Sequence, residues 1–182
     1  MYDNSNKTSD NNSTFIILII IIIIIIILIA AVWFWNKGNT FVMVDTEDNR
    51  LFAANLSGRN EVPPNDSEAS GFGSFTLSKD SNGRYEIKYD IQIENLEGAI
   101  LEGRNGSHIH QGGPNENGSV LKTIFFNTDG KSSGKWTTND QSEPLTEEDV
   151  FYFKNGLTYL NVHTTEFPGG EIRSQILPVG LV

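Results

Sequence analysis

Apolar residues are concentrated in one block near the start of this 182-residue chain. Residues 15–35 carry no charge, consist mostly of isoleucine and end in Trp33, Phe34 and Trp35. A helix of this length spans about 31 Å at 1.5 Å per residue, enough to cross a hydrocarbon core. The preceding residues 1–14 have no basic excess, and no small-residue cleavage site follows the block. We therefore predict a polar tail over 1–14 and an uncleaved, single transmembrane helix over 15–35.

The chain after this block follows a different pattern, typical of a half-buried sheet. Beyond a predicted linker over 36–48, polar and apolar residues alternate strictly in the segment Arg84–Glu94. Alternation with a period of two places apolar side chains on one face of an antiparallel strand. The pair Asn82–Gly83 just before it is typical of a tight hairpin turn. This segment predicts one strand of a β domain that covers residues 49–182.

Further strands and one helix complete the predicted domain. A capping box begins at Thr146 and predicts a short helix that ends near Asn155–Gly156. Clusters of Gly, Pro, Asn and Ser separate the remaining strand segments. These segments are Leu51–Leu56, Phe72–Leu77, Val120–Phe126, Leu157–Thr164 and Glu171–Ile176. The fold class predicted is all-β, a Greek-key antiparallel β-sandwich or barrel with one short helix.

Charge and cysteine content exclude several kinds of function. The chain has 13 basic and 23 acidic residues, a formal net charge of −10, which argues against nucleic acid as a partner. It has no cysteine. Disulfides, zinc–thiolate sites and iron–sulfur clusters are therefore excluded.

The three histidines of the chain are its clearest candidate chemistry. His108 and His110 would face the same side of a strand, and His163 lies in a second predicted strand. If the two strands are neighbours, three imidazoles can bind one metal ion. Imidazole suits several transition metals. Copper is the first expectation from intrinsic affinity, and zinc, bound by three histidines and water, is the second.

Two simpler interpretations stay open from the residues alone. His108 and His110 could be polar residues on a solvated face, with His163 a hydrogen-bonded strand residue. The loop with sequence GRNEVPP could instead be an exposed contact, with Arg59 and Glu61 as its charges. That loop would suit a non-enzymatic module for protein or glycan binding.

Several motifs, in a fixed order, resemble a known family. They are Phe52–Gly58, Asn60–Pro64, Gly71–Leu77, His108–His110, Asn161–Thr164 and Phe167–Arg173. Together they resemble the CHRD domain, the module named from chordin, over about residues 51–176. The resemblance implies an extracytoplasmic setting, because its animal members belong to extracellular proteins and many microbial members are secreted or anchored.

A second, weaker resemblance concerns the histidines. Copper–zinc superoxide dismutases are Greek-key barrels with a His-x-His pair, a late copper-binding histidine and an arginine that guides the anion. By this resemblance His108, His110 and His163 would bind copper, and Arg173 would be the catalytic, anion-guiding residue. Those enzymes use a fourth copper-binding histidine as the bridge to zinc. This chain has no fourth histidine, which excludes a bridged copper–zinc site.

The function expected is therefore that of a cell-membrane, single-pass CHRD domain on the extracytoplasmic side. It would bind one metal ion, copper before zinc, with a redox or copper-handling role. If it is an enzyme, the resemblance implies a mononuclear copper oxidoreductase of the superoxide-dismutase type. The alternative is a non-enzymatic module that binds an extracellular protein or glycan.

Overall fold

The structure, a computed structural model, describes residues 50–180. The predicted tail 1–14, transmembrane helix 15–35 and linker 36–48 lie outside these residues. Among the residues described, no helix has the length and apolar character needed to cross a membrane.

Within residues 50–180, nine antiparallel strands form a single sheet. They are β1 (Arg50–Ser57), β2 (Ser70–Lys79), β3 (Tyr85–Glu94), β4 (Ser107–Gln111), β5 (Val120–Thr123), β6 (Lys131–Thr137), β7 (Thr158–Val162), β8 (Ile172–Gln175) and β9 (Leu177–Pro178). The strand order is β5-β4-β7-β8-β1-β2-β3-β6, with β9 beside β1. The connections β3–β4, β5–β6, β6–β7 and β8–β9 join strands that are not neighbours. The prediction of an all-β antiparallel barrel with one short helix is confirmed.

The alternation predicted for β3 decides which face lines the core. Ile87, Ile91 and Ile93 are buried, whereas Lys88 and Gln92 on the opposite face are exposed. β3 pairs with β2 over its whole length. The loop that contains Asn82–Gly83 connects the two strands. The core they help to form also includes Phe52, Phe75, Ile109, Trp136, Leu160, Val162 and Ile172.

The predicted strands differ from the observed ones mainly at their ends. The predicted strand Val120–Phe126 ends at Thr123, and His163 lies one residue beyond the end of β7. The sequence did not predict β6, whose seven residues include only one large buried side chain, Trp136. It also did not predict the two-residue β9.

The one α-helix among residues 50–180, α1 (Glu147–Lys154), begins at the predicted capping box. The Thr146 side chain accepts a hydrogen bond from the Asp149 backbone N–H, and the Asp149 carboxylate accepts one from the Thr146 N–H. Phe153 on the buried side packs edge-on against Phe52, with ring centroids 4.7 Å apart. The helix therefore belongs to the same core as the sheet.

Side chains close the gap between the unpaired edge strands β5 and β6. The buried carboxylate of Glu143, in the segment after β6, accepts hydrogen bonds from the backbone N–H and the hydroxyl of Thr123 on β5, at 2.9 and 2.7 Å. It also pairs with Arg104 at 2.7 Å. Burial raises the pKa of Glu143, but these donors and cations outweigh it and hold the pKa below its ordinary value. The carboxylate thus replaces part of the missing ladder between the edge strands.

We expect Glu143→Ala to lower the free energy of unfolding by roughly 2 kcal/mol at pH 7, because it leaves two donors on Thr123 without their charged acceptor. Urea unfolding followed by tryptophan fluorescence measures this. Glu97→Ala, which removes an exposed carboxylate, is the control and should change stability by less than about 0.5 kcal/mol. Equal stability of the two variants would show that Glu143 does not close the barrel.

Candidate functional site

The three histidines come together on the outer face of the sheet. Ile109 belongs to the core, so strand alternation directs His108 and His110 away from it. β4 and β7 are hydrogen-bonded neighbours, and His163 directly follows β7. The ring centroid of His108 lies 5.2 Å from that of His110 and 5.4 Å from that of His163.

This part of the outer face is buried. His108 and His110 are 4% and 8% exposed. The Gly118 carbonyl of the loop after β4 contacts His110, and the Arg104 carbonyl of the segment before β4 contacts His108. The burial of the pair excludes the interpretation of the two residues as polar residues on a solvated face. His163 is half-buried and lies at the more open side of the cluster.

A backbone carbonyl orients each imidazole. Nε2 of His108 lies 2.6 Å from the Arg104 carbonyl, Nδ1 of His110 lies 2.9 Å from that of Gly118, and Nδ1 of His163 lies 3.0 Å from that of Pro168. A carbonyl only accepts hydrogen bonds, so each of these nitrogens carries the proton. The lone pair is then on Nδ1 of His108 and on Nε2 of His110 and His163.

The three imidazoles lie close enough together that they could hold a metal ion. Nδ1 of His108 and Nε2 of His110 are buried without a hydrogen-bond partner. One nitrogen of each histidine lies within 4.8 Å of one nitrogen of the other two. Side-chain rotations would bring them to the metal–nitrogen distance of about 2.0–2.1 Å. Carbonyl groups that fix the tautomer of histidine ligands are typical of metal sites.

Burial favours the neutral form of His110 and of His163. Burial lowers the pKa of His110 to about 4, and the nearby positive charges add to this effect. Burial also lowers the pKa of His163. Because only neutral imidazole binds a metal, both residues stay competent as ligands at a lower pH than an exposed histidine would.

The chain can now be compared with known families. The model of the CHRD domain matches residues 52–176. The chain belongs to the CHRD domain family. No curated protein and no solved structure matches it significantly.

Arg173 of the CHRD domain lies on β8, on the same outer face, and is 1% exposed. Its guanidinium donates hydrogen bonds to Asn117 Oδ1 and to the carbonyls of Gly113 and Glu116, at 2.7–2.9 Å. Its Cζ lies 3.4 Å from the ring centroid of Tyr159. These contacts fix the loop that follows β4. The predicted role of Arg173 in attracting an anion stays a prediction.

Tyr159 connects Arg173 to the histidines, and the sequence analysis missed it. Its ring stacks on His110 with centroids 4.8 Å apart and planes 4° apart, and its hydroxyl accepts a hydrogen bond from the Gly118 N–H. The Gly118 carbonyl in turn orients His110. Gly118 itself packs so closely on the Gln111 carbonyl that a Cβ would overlap it.

Glu171 is the second residue that the sequence analysis missed. Its carboxylate is fully buried and accepts hydrogen bonds from the Ser67 hydroxyl, the Glu97 N–H and the Thr164 hydroxyl, at 2.6–2.9 Å. It therefore joins three loops around the segment that holds His163. The only sequence signal was its position at the start of a predicted strand.

Glu61 corrects the prediction for the GRNEVPP loop. Arg59 is exposed as expected, but Glu61 is 5% exposed and is not a surface charge. Its carboxylate packs against Gly170, where a Cβ would come within 2.7 Å of it. Burial raises the pKa of Glu61 to about 7, although Arg173 and the Val62 N–H oppose the change.

The raised pKa of Glu61 predicts a specific pH dependence. The folded domain holds the Glu61 proton more tightly than the unfolded chain, so the resulting stability is present below about pH 4.5 and is lost as the pH rises through about 7. Glu61→Gln keeps a neutral side chain of similar shape. We expect it to raise the free energy of unfolding by roughly 1–3 kcal/mol at pH 8 and to have little effect at pH 4.

Chemical denaturation of both proteins across this pH range tests the expectation. Subtracting the two curves cancels the titration of His110 and His163, which runs in the opposite direction. A Glu61→Gln difference that does not grow between pH 4.5 and 8 would contradict a raised pKa.

Proposed function

We propose that this CHRD domain binds a single metal ion through His108, His110 and His163. One observation carries the proposal: one nitrogen of each of the three imidazoles lies within 4.8 Å of one nitrogen of the other two, and His108 and His110 are buried. Two of these nitrogens have no hydrogen-bond partner. Leaving buried polar atoms unpaired costs free energy, and a bound cation would remove that cost.

Copper is the ion that the donor set favours. Among the residues described, the cluster has three imidazoles and no carboxylate or thiolate ligand. Nitrogen ligands bind Cu²⁺ more tightly than other divalent first-row metals, with Zn²⁺ the second choice. When bound, copper would supply one-electron chemistry. The chain's own residues would hold the ion, keep the imidazoles neutral and limit access to the side of His163.

The setting we propose is extracytoplasmic and attached to the cell membrane. Its support is the uncharged segment 15–35, long enough to span a bilayer, together with membership of the CHRD domain family. The role there would be copper handling or a redox reaction of the superoxide-dismutase type, with Arg173 as the residue that attracts an anion.

A binding module for an extracellular protein or glycan is the second candidate, and one feature favours it. A cavity of about 410 Å³ lies beneath the GRNEVPP loop, between Arg59, Asn115 and Leu177. A module of this kind would not require a metal. Metal content therefore separates the two functions.

We expect the full-length protein to bind one copper ion per chain and His108→Ala to lose at least about tenfold in copper affinity, because two imidazoles remain. Elemental analysis and competitive copper titration measure this. Asn105→Ala, an exposed neighbour of the site, is the control and should bind copper as the wild type does. Copper binding that His108→Ala leaves unchanged would contradict the proposal and favour the metal-free module.

The proposed location gives a separate expectation. The full-length chain should stay in the membrane after alkaline carbonate extraction, and a chain lacking 15–35 should be released, because the apolar segment holds it. Protease added to intact cells should cleave the CHRD domain while a cytoplasmic marker stays intact. Protection of the domain until the cells are lysed would place it on the cytoplasmic side.

A further inference from the structure

Asn161 lies within the histidine cluster although it is not one of the predicted ligands. It belongs to β7 and is paired in register with His108 on β4. Strand alternation places it on the outer face, because its neighbours Leu160 and Val162 belong to the core. It is 4% exposed. The cluster therefore contains a buried amide as well as three imidazoles.

The nitrogen and the oxygen of this amide differ in their hydrogen bonding. Nδ2 of Asn161 lies 3.0 Å from Nε2 of His163, the nitrogen that carries the lone pair. Oδ1 of Asn161 is buried and has no hydrogen-bond partner. The amide Nδ2 thus donates to Nε2 of His163, and the amide Oδ1 is left without a hydrogen-bond donor.

A half-turn about the Cβ–Cγ bond exchanges these ends with almost no change in shape. It would place Oδ1 beside Nε2 of His163, at about the present 3.0 Å separation. Ligand atoms about 2.0–2.1 Å from a tetrahedrally coordinated ion lie roughly 3.3 Å apart. We propose that Asn161 Oδ1 is the fourth protein ligand of the metal site, an inference that rests on the proposed function.

The neighbouring polar side chains are engaged elsewhere. The Tyr159 hydroxyl accepts a hydrogen bond from Gly118, and the Glu171 carboxylate accepts hydrogen bonds from three loop donors. Arg173 is a cation and cannot coordinate a metal. Across residues 50–180, no Asp or Glu joins the three histidines as a further ligand. Asn161 is thus the neighbour whose unpaired oxygen can reach the ion.

A fourth protein ligand changes what the site can do. Sites with four protein ligands are closed and retain the ion, whereas catalytic sites keep one position open for water or substrate. Asn161 would therefore close the position that a small anion such as superoxide needs. Within the proposed function, this favours copper retention over turnover.

Access of azide to a substituted cobalt ion tests this inference. Cobalt(II) absorbs visible light, and its spectrum changes when an anion replaces a bound water. We expect azide to leave the spectrum of the cobalt-loaded, full-length wild type unchanged. We expect it to change the spectrum of Asn161→Ala, because water then occupies the fourth position. Asn161→Ala should also lose at least about tenfold in copper affinity.

Asn161→Asp provides the matched variant, because a carboxylate oxygen can occupy the same place. It should exclude azide as the wild type does, a result that a merely structural role for Asn161 would not produce. Circular dichroism of each metal-free protein reports folding. If Asn161→Ala does not fold, the responses of the wild type and Asn161→Asp to azide decide the question.

The outcomes separate this inference from the proposed function. If cobalt and copper bind, if His108→Ala weakens binding and if azide changes the wild-type spectrum, Asn161 is not a ligand and the three-histidine site stands. If the wild type binds no metal, or binds it equally well without His108, both are overturned. A wild type closed to azide beside an open Asn161→Ala supports both.

Discussion

Burial of polar groups on the outer face of β4, β7 and β8 is the constraint that governs the rest of the structure. In most sheets of this kind one face lines the core and the other is solvated. Here the second face is also covered, although it carries His108, His110, Asn161 and Arg173. Each polar atom removed from water needs a partner, and the covering loops supply most of them. The loops are consequently ordered by the same hydrogen bonds that position the site.

The side chains of Arg173 and Glu171 form hydrogen bonds with the loops that cover this face. Arg173 donates to the loop that follows β4, and Glu171 accepts from three other loop donors. The Tyr159 ring contacts the Arg173 guanidinium and stacks on His110, and its hydroxyl accepts a hydrogen bond from the Gly118 N–H. Backbone carbonyls and the Tyr159 ring thus hold the imidazoles in their observed orientations. A few buried atoms in this region still have no partner, and three of them belong to His108, His110 and Asn161 of the histidine cluster.

Local sequence patterns predicted the elements that are stabilised by residues close together in the chain. The alternation in β3 and the capping box at Thr146 were both confirmed, because each depends on residues close together in the chain. β6 was missed because its Ser, Gly and Lys residues show no alternation, and its pairing with β3 places it in the sheet. Glu61 was predicted to be exposed because charged residues usually are. Its burial depends on Gly170, more than a hundred residues later, which the loop sequence does not reveal.

The sequence by itself determined the β class of the domain, the CHRD family and the three histidines that could hold a metal ion. These follow from side-chain periodicity, ordered motifs and the small number of histidines. Only the tertiary structure decided that β4 and β7 are neighbours and that His108 and His110 are buried. It also decided that Asn161, Tyr159 and Glu171 belong to the same environment. Pairing of distant strands and desolvation by loops are properties of the assembled fold, because they depend on contacts between segments that are far apart along the chain.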